Sequence, residues 1–474
     1  MSPKKSLSAD EMHIQMTTQP VGKLVLSMAV PNIVAMLVTS IYNIVNTYFV
    51  SRVSISASAA VGIVFPLFFI IQAVSMTFAI GGGSYIARSL GRGDVDTANR
   101  TFSTSFILSV AIGSLIGILS IIFMTPLLQF LGSTPTTLPY AADYAFYVII
   151  ATPFFSASFV LQAILRQEGS PRLAMIGLAV GSFIHIFLDP LFIFTLGLGI
   201  KGAAIATSIS QIISFAILFS FILRKKSITR LKVSLFTPNK KILSEIFKIG
   251  SPSFFRMGIL SIAPILLNKA ASSYGDIALG SISIVNRLIM NVVTIVAAYG
   301  QGFQPVCGYN FGAKLFDRVR NAFKFTLRTS LIVMTGLGIL GYIFAPQLIT
   351  LFRSDDPEFI RIGSTIMRAT CATLPFVTFV TISDLLFQSC GKALKAAILS
   401  LSRQGLIFIP YILILPRLFQ LNGVIFSQPL ADLTTFLISI PLTIGLLKEL
   451  SKSKISIIPN LGINLTEPEK IKSN

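Results

Sequence analysis

Four carboxylates fall inside strongly apolar stretches of the chain: Asp143, Asp189, Asp384 and Asp432. A charge at mid-membrane depth costs roughly 2.5–3.5 kcal/mol even on lenient insertion scales, so such a group faces a cavity, finds a partner or stays protonated. Asp189 is the most informative. Pro190 follows it and His185 stands one helical turn before it, so carboxyl and imidazole share a helix face. Burial and a neighbouring cation shift a carboxyl in opposite directions. An intramembrane Asp beside a titratable His is therefore chemistry for gaining and losing a proton. Asp384 lies mid-way along an apolar stretch of the second half, where the first half has Gln162 or a near neighbour. Arg287, next to Asn286, is the most interior of the cations and is expected to pair with an acid. Asp384 and Arg287 are candidates for a substrate cavity. Asp432, after Pro429, reads as structural, and Asp143, near a stretch end, as solvated. No HExxH, GxSxG or paired catalytic Asp signature is present, so an intramembrane enzyme is disfavoured. Two His and three scattered Cys argue against a metal cluster. No metal and no cofactor are expected.

The elements that must position these groups are membrane spans. The chain is 53% hydrophobic and only 12% charged, about half the charge of a soluble domain. Twelve segments reach the roughly 20 apolar residues that a hydrocarbon core requires: 24–50, 59–87, 103–131, 140–163, 173–196, 202–223, 250–273, 279–306, 329–352, 364–389, 396–416 and 422–447. The chain is also written twice. A shift of 221 positions lays Pro31 on Pro252, Gly81 on Gly302, Gly91 on Gly312 and Gly202 on Gly423, and one more residue of shift lays Gly169 on Gly391. The expected fold is all-α and integral to the membrane, with twelve transmembrane helices in two six-helix bundles related by the internal repeat. An even number of spans per copy gives both copies one orientation, and a duplicated membrane unit points to a cavity at the interface and to transport.

Charge placement orients the chain. Of 38 Lys and Arg residues, only Arg52, Lys201, Arg353, Arg361 and Arg417 fall on loops of one side, while most lie on the other. The positive-inside rule then puts both termini in the cytoplasm, and the net charge of +20 needs no nucleic acid. The expected domains are a cytoplasmic segment 1–23, an N-lobe 24–223, a basic cytoplasmic linker 224–248 suited to anionic lipid, a C-lobe 249–447 and a cytoplasmic tail 448–474. The first span reads as uncleaved. Asn99-Arg100-Thr101 and Asn464-Leu465-Thr466 fit glycosylation acceptors but fall on the cytoplasmic side. Prolines inside helices remove a backbone bond and permit kinks. Pro31 and Pro252, at equivalent sites, are candidate hinges.

Several runs resemble one known family. Ala29-Val30-Pro31 with Ser40-Ile41-Tyr42-Asn43-Ile44-Val45-Asn46-Thr47 is similar to the first helix of multidrug and toxic compound extrusion (MATE) transporters. So are Asp189-Pro190-Leu191-Phe192-Ile193-Phe194, Gly202-Ala203-Ala204-Ile205-Ala206-Thr207, Gly300-Gln301-Gly302-Phe303-Gln304-Pro305 and Gln428-Pro429-Leu430-Ala431-Asp432. The resemblance covers about residues 17–450 and points to the bacterial drug-efflux branch. It implies twelve helices in two lobes, and antiport of organic cations or aromatic drugs against protons or sodium. It places the coupling site in the first lobe, with its aspartate on Asp189, its threonine on Thr207 and its hinge proline on Pro31. Two positions depart. Asn46 stands where the family often has Asp, and His185 where it often has Asn. One carboxylate fewer weakens an oxygen-ligand sodium site, so protons are expected ahead of sodium, handled by Asp189, His185, Asn46 and Thr207. The expected protein is a monomeric, non-enzymatic drug exporter of the bacterial inner membrane, its partners a small organic cation, protons and the bilayer. The alternative is a lipid-linked precursor flippase of the same broad superfamily, which would favour an Arg/Lys-rich cavity.

Overall fold

The computed structural model describes residues 8–353 and 356–455. Lys4, Lys5, Lys472 and the Asn464 acceptor therefore lie outside the described residues. A short helix, Ala9–Thr18, precedes the spans. The first lobe is α1 (Val21–Ser51), α2 (Ile55–Gly91), α3 (Val95–Ile122), the bent pair α4 (Leu138–Ile150 and Thr152–Gln167), α5 (Pro171–Pro190, continued by a π turn Leu191–Thr195) and α6 (Gly199–Leu223). The second is α7 (Lys240–Ser272), α8 (Asp276–Gly312), α9 (Phe316–Ile343), α10 (Pro357–Ser389), α11 (393–419) and α12 (421–455).

By length and apolarity ten continuous helices qualify as spans, and α4 adds an eleventh when its two halves, bent by 51° next to Pro153, are taken together. The longest of the ten is broken at Gln420, whose φ of 50° is not helical. Splitting it gives twelve, six per lobe, so the two-bundle, multi-pass membrane fold stands. Helix α7 begins at Lys240, inside the stretch assigned to the linker, because the Asn239 side chain caps it by accepting from the Ile242 N–H at 2.8 Å. Asp94 and Asp356 cap α3 and α10 in the same way. Gly169 and Gly391, matched by the repeat, both take left-handed φ, 96° and 71°, ending α4 and α10.

The lobes meet at one end. A Cβ on Gly81 of α2 would collide with the Ile246 carbonyl of α7, one on Gly250 with the Thr77 carbonyl, and one on Gly302 of α8 with the Ala29 backbone of α1. Gly91 and Gly312 press against the carbonyls of Tyr309 and Arg88. Polar bonds across the same end join Arg88 to Glu245 at 2.9 Å and Gln167 to Gln304 at 3.4 Å. At the other end a Cβ built on Gly62 of α2 or on Gly258 of α7 meets nothing within 4 Å. Gly258 is twelve residues beyond Ile246, about 18 Å along the axis. The bundles thus close at the end that carries the inter-lobe linker and splay at the other.

The linker is a fitted strap. The backbone N–H of Arg230 donates to Asn99 Oδ1 (2.7 Å), that of Lys232 to Ser103 Oγ (3.2 Å) and that of Thr237 to Thr104 Oγ1 (3.0 Å), all along the start of α3.

Candidate coupling site between α1, α5 and α6

His185 and Asp189 occupy the α5 face that packs on α1 and α6, and both are fully buried. The π turn that starts at Leu191 follows Asp189 directly, a local widening often found at functional positions. His185 Nε2 lies 3.0 Å from Thr207 Oγ1 on α6. The Thr207 hydroxyl donates to the Ala203 carbonyl at 2.9 Å, so its oxygen is left to accept from Nε2–H. That assigns the ring proton to Nε2 and turns Nδ1 toward Asp189. Nδ1 stands 3.1 Å from Asp189 Oδ2, although the pair is not aligned as a good hydrogen bond, and neither Asp189 oxygen has a hydrogen-bond partner among the described residues. The contact places an imidazole nitrogen and a carboxylate oxygen face to face in a buried site.

Tyr42 of α1 presents its ring edge-on to His185, centroids 4.6 Å apart. The phenols of Tyr42 and of buried Tyr144 lie close to both Thr207 and Asp189. Asn46 is one turn beyond Tyr42 on α1, half-buried, with its Oδ1 enclosed and unbonded. Pro31 is buried within a continuous α1, between Ala29 at the closed end and Tyr42 at the site. The structure therefore brings together Asp189, His185 and Thr207. It adds Tyr42 and Tyr144, whose helices lie elsewhere in the chain and which carry no sequence signal beyond Tyr42's place in a family-like run.

The second lobe holds its acids differently. Asp432 of α12 accepts from Arg403 at 2.8 Å and from Gln428 at 2.9 Å, with Thr373 at 3.3 Å. An Arg is permanently charged, so this bridge between α11 and α12 is a fixed ion pair, whereas the α5–α6 bridge runs through an imidazole and a hydroxyl. Asp384 accepts from Gln388 and Ser400, each at 2.9 Å, with Arg256 near enough to act on its charge. Gln388 in turn accepts from Gln304 at 3.2 Å, and Gln304 from Gln167, so Asp384 ends a chain of amides that crosses the closed end. Arg287 corrects an expectation. It is exposed rather than interior, and among the described residues no ion pair is recorded for it. The buried face of α8 is made by Ile282, Val285 and Ile289, which turns Arg287 outward. No bond joins it to Asp384. Asp143 pairs with Lys201 at 3.3 Å.

One residue escaped the sequence because it lies just past a span. Glu168, fully buried at the end of α4, accepts on Oε2 from Ser227 Oγ (2.8 Å), Thr229 N (3.1 Å) and Thr229 Oγ1 (2.9 Å), anchoring the linker, while Oε1 has no partner. Burial, opposed by these donors, pushes its carboxyl from 4.5 up to about 7. A raised acid binds its proton more tightly folded than unfolded. Its contribution to stability is full below about pH 4.5 and is lost as pH rises through about 7. The melting temperature is expected to fall over that window by the equivalent of roughly 3 kcal/mol. Glu168→Gln should remove that part of the slope, and an unchanged slope in thermal melts would refute this account of the anchor.

Comparison with known proteins agrees with this architecture. The family model for MatE matches residues 31–191 and 252–414, one match in each lobe. The chain belongs to the MatE family. It is 28% identical to the multidrug export protein MepA of Staphylococcus haemolyticus (strain JCSC1435) over 450 residues, covering 95% of this chain and 99% of that protein. It is 28% identical to the MepA of Staphylococcus aureus (strain N315) over 424 residues, 89% and 93% of the two chains. Among solved structures, MATE in complex with MaL6 superposes with a TM-score of 0.87 at 24% identity, covering 93% of this chain and 99% of that one. An outward-facing multidrug resistance MATE transporter gives 0.86 at 23% identity, covering 94% and 99%. These likenesses show the fold.

Proposed function

We propose that this MatE-family protein exports small organic cations, drugs of aromatic character, by proton-driven antiport across a bacterial inner membrane. The observation that carries the reading is the 3.1 Å contact between His185 Nδ1 and Asp189 Oδ2, buried against Thr207 and Tyr42. The relatives named as multidrug exporters support the drug part. With the linker and both described chain ends cytoplasmic, the shut end is the cytoplasmic gate and the splayed end opens outward. In that state Asp189 takes up protons from outside. Pro31 then serves as the hinge between the gate half of α1, held at Ala29 against Gly302, and the half that carries Tyr42 and Asn46 to the proton site. Each charge crossing the membrane gains about 2.3 kcal/mol per 100 mV. Coupling requires that proton and drug favour different states.

The test is uptake and release of a fluorescent organic cation by proteoliposomes under an imposed pH gradient, without sodium. Gradient-driven flux is the expected result. Flux that requires a sodium gradient, or no flux with folded protein, overturns the proton reading.

One observation favours a second reading of the substrate. Ser283, Asn286, Arg287 and Asn291 form an exposed polar stripe on α8, costly against lipid and suited to the cleft. Arg287, recorded without an acid partner, fits a substrate with an anionic group, as a lipid-linked flippase would handle. Competition of the cation flux by anionic but not cationic compounds would select it.

A further inference from the structure

A second cavity, of about 560 Å³, lies on the shut end, away from the proton site and the cleft. Its walls come from three separate segments: Asp10 and His13 of the short amino-terminal helix, Arg92 of the loop after α2, and Tyr309 and Lys314 at the end of α8. The two loops are equivalents in the repeat. Gly93 and Lys314, 221 positions apart, both take left-handed φ, 78° and 59°, and both turns are closed by matching backbone bonds: Asp94 N–H to Ser89 O at 3.0 Å, and Leu315 N–H to Asn310 O at 2.8 Å. Lys314 holds a conformation that favours glycine, as its equivalent Gly93 shows, so a basic side chain stands there at a backbone cost. Each turn thus brings one cation to the same cavity, one from each lobe. Arg92 spends one N–H on Ser89 Oγ at 3.0 Å and faces the Tyr85 ring. Its neighbour Asp94 caps α3 through Thr97. Asp10 is the one carboxylate of the lining.

The roof of the cavity is a cross-lobe latch. The amino-terminal helix leads into the first lobe, yet Asn310 of α8 donates to its Met16 carbonyl at 3.0 Å and Arg318 of α9 to the Gln19 carbonyl at 2.6 Å. His13 Nδ1 meets the Leu90 carbonyl at 3.3 Å. The pocket exists only while the two lobes and this helix are together.

We propose that this cavity binds a phosphate anion between Arg92 and Lys314, supplied by an anionic lipid headgroup or as free phosphate, and that occupancy holds this end of the transporter shut. Arg matches phosphate oxygens in a planar fork and Lys adds a point charge. Leu90, Val95 and Tyr309 give the same lining an apolar side, which suits the acyl end of a lipid. Because the walls come from both lobes, a ligand here binds the shut state and leaves the open one, and it shifts the balance by that difference in affinity.

The test uses the full chain and reads lipid retention, so it stands apart from the question of which ion drives transport. Purified protein is mixed with phosphatidylglycerol or phosphatidylcholine, and retained lipid is counted by native mass spectrometry. The wild type is expected to keep one phosphatidylglycerol in preference to phosphatidylcholine. The double variant Arg92→Gln, Lys314→Gln should lose that preference, by roughly fivefold for each cation removed. The control Arg361→Gln, Arg417→Gln, which removes two exposed cations on the side away from the linker, should retain it unchanged. Displacement of the lipid by millimolar inorganic phosphate would support the anion site and assign it to free phosphate. Resistance to phosphate would assign it to the lipid. Equal retention of both lipids by the wild type together with no effect of phosphate, or an equal loss in the control variant, would overturn the proposal.

Discussion

Asp189→Asn is expected to fold normally and to lose pH-gradient-driven efflux by at least about tenfold. The side chain keeps its shape, and the Asn amide can donate to His185 Nδ1. The His185–Thr207 bond that ties α5 to α6 is untouched, and a buried acid is replaced by a neutral group, so the melting temperature should hold or rise. What disappears is the carboxylate half of the His185–Asp189 pair. A site whose affinity for protons no longer differs between the two states cannot couple them to anything. Substrate binding in detergent should therefore survive and become insensitive to pH. Flux and binding measured side by side on wild type and variant decide the matter, and wild-type flux in the variant would remove Asp189 from the mechanism. Thr207→Val should act more weakly, because it frees the imidazole to take either tautomer without removing the carboxyl.

The part of this arrangement legible in the sequence was the part written on one helix. His185 and Asp189 are four residues apart, so their contact followed from helical geometry alone. Thr207 came from resemblance, and its role in fixing the His185 tautomer depends on the Ala203 carbonyl, which only coordinates reveal. Tyr42 closes over the imidazole from another helix, and nothing in its neighbours signals that. The fold was readable because twelve apolar runs and a 221-residue repeat are properties of composition and spacing. Facing was not. Arg287 looked interior because it lies mid-run, but a run that is apolar nearly all round does not say which side meets its own bundle. Arg403 and Asp432 were each visible as odd charges, while their pairing across α11 and α12 was not. Glu168 lies five residues past the expected span 140–163 and so escaped notice as an intramembrane acid, and its partners Ser227 and Thr229 are 59 and 61 residues away in the linker.

The glycines at the shut end carry the other large prediction. Gly81, Gly250 and Gly302 let α2, α7, α1 and α8 meet backbone to backbone, and at Gly81 the atom that an added methyl strikes is a carbonyl oxygen of Ile246 in α7. A helix carbonyl cannot swing aside as a long side chain can, so even Gly81→Ala must push the helices apart. Overpacking of this kind costs about 1–3 kcal/mol. That is severalfold to about a hundredfold in the balance between states, since 1.4 kcal/mol is tenfold. Opening this end would separate α2 from α7, so the cost is expected to fall on the shut state, where Gly81 meets the Ile246 carbonyl. Spin labels at the exposed equivalents Asp96 and Asp317, one on each lobe, should report a single distance in the wild type and a second, longer one in Gly81→Ala, with Gly302→Ala acting alike through Ala29. Gly62→Ala, on the same helix where a Cβ meets nothing within 4 Å, supplies the control. It improves helix propensity by the same substitution and should leave the distances as they are. If Gly81→Ala and Gly62→Ala gave the same distribution, the close approach at this end would not be what holds the lobes together. If only Gly81→Ala and Gly302→Ala open the linker side, the two equivalent glycines are what make one shut state available to a duplicated chain.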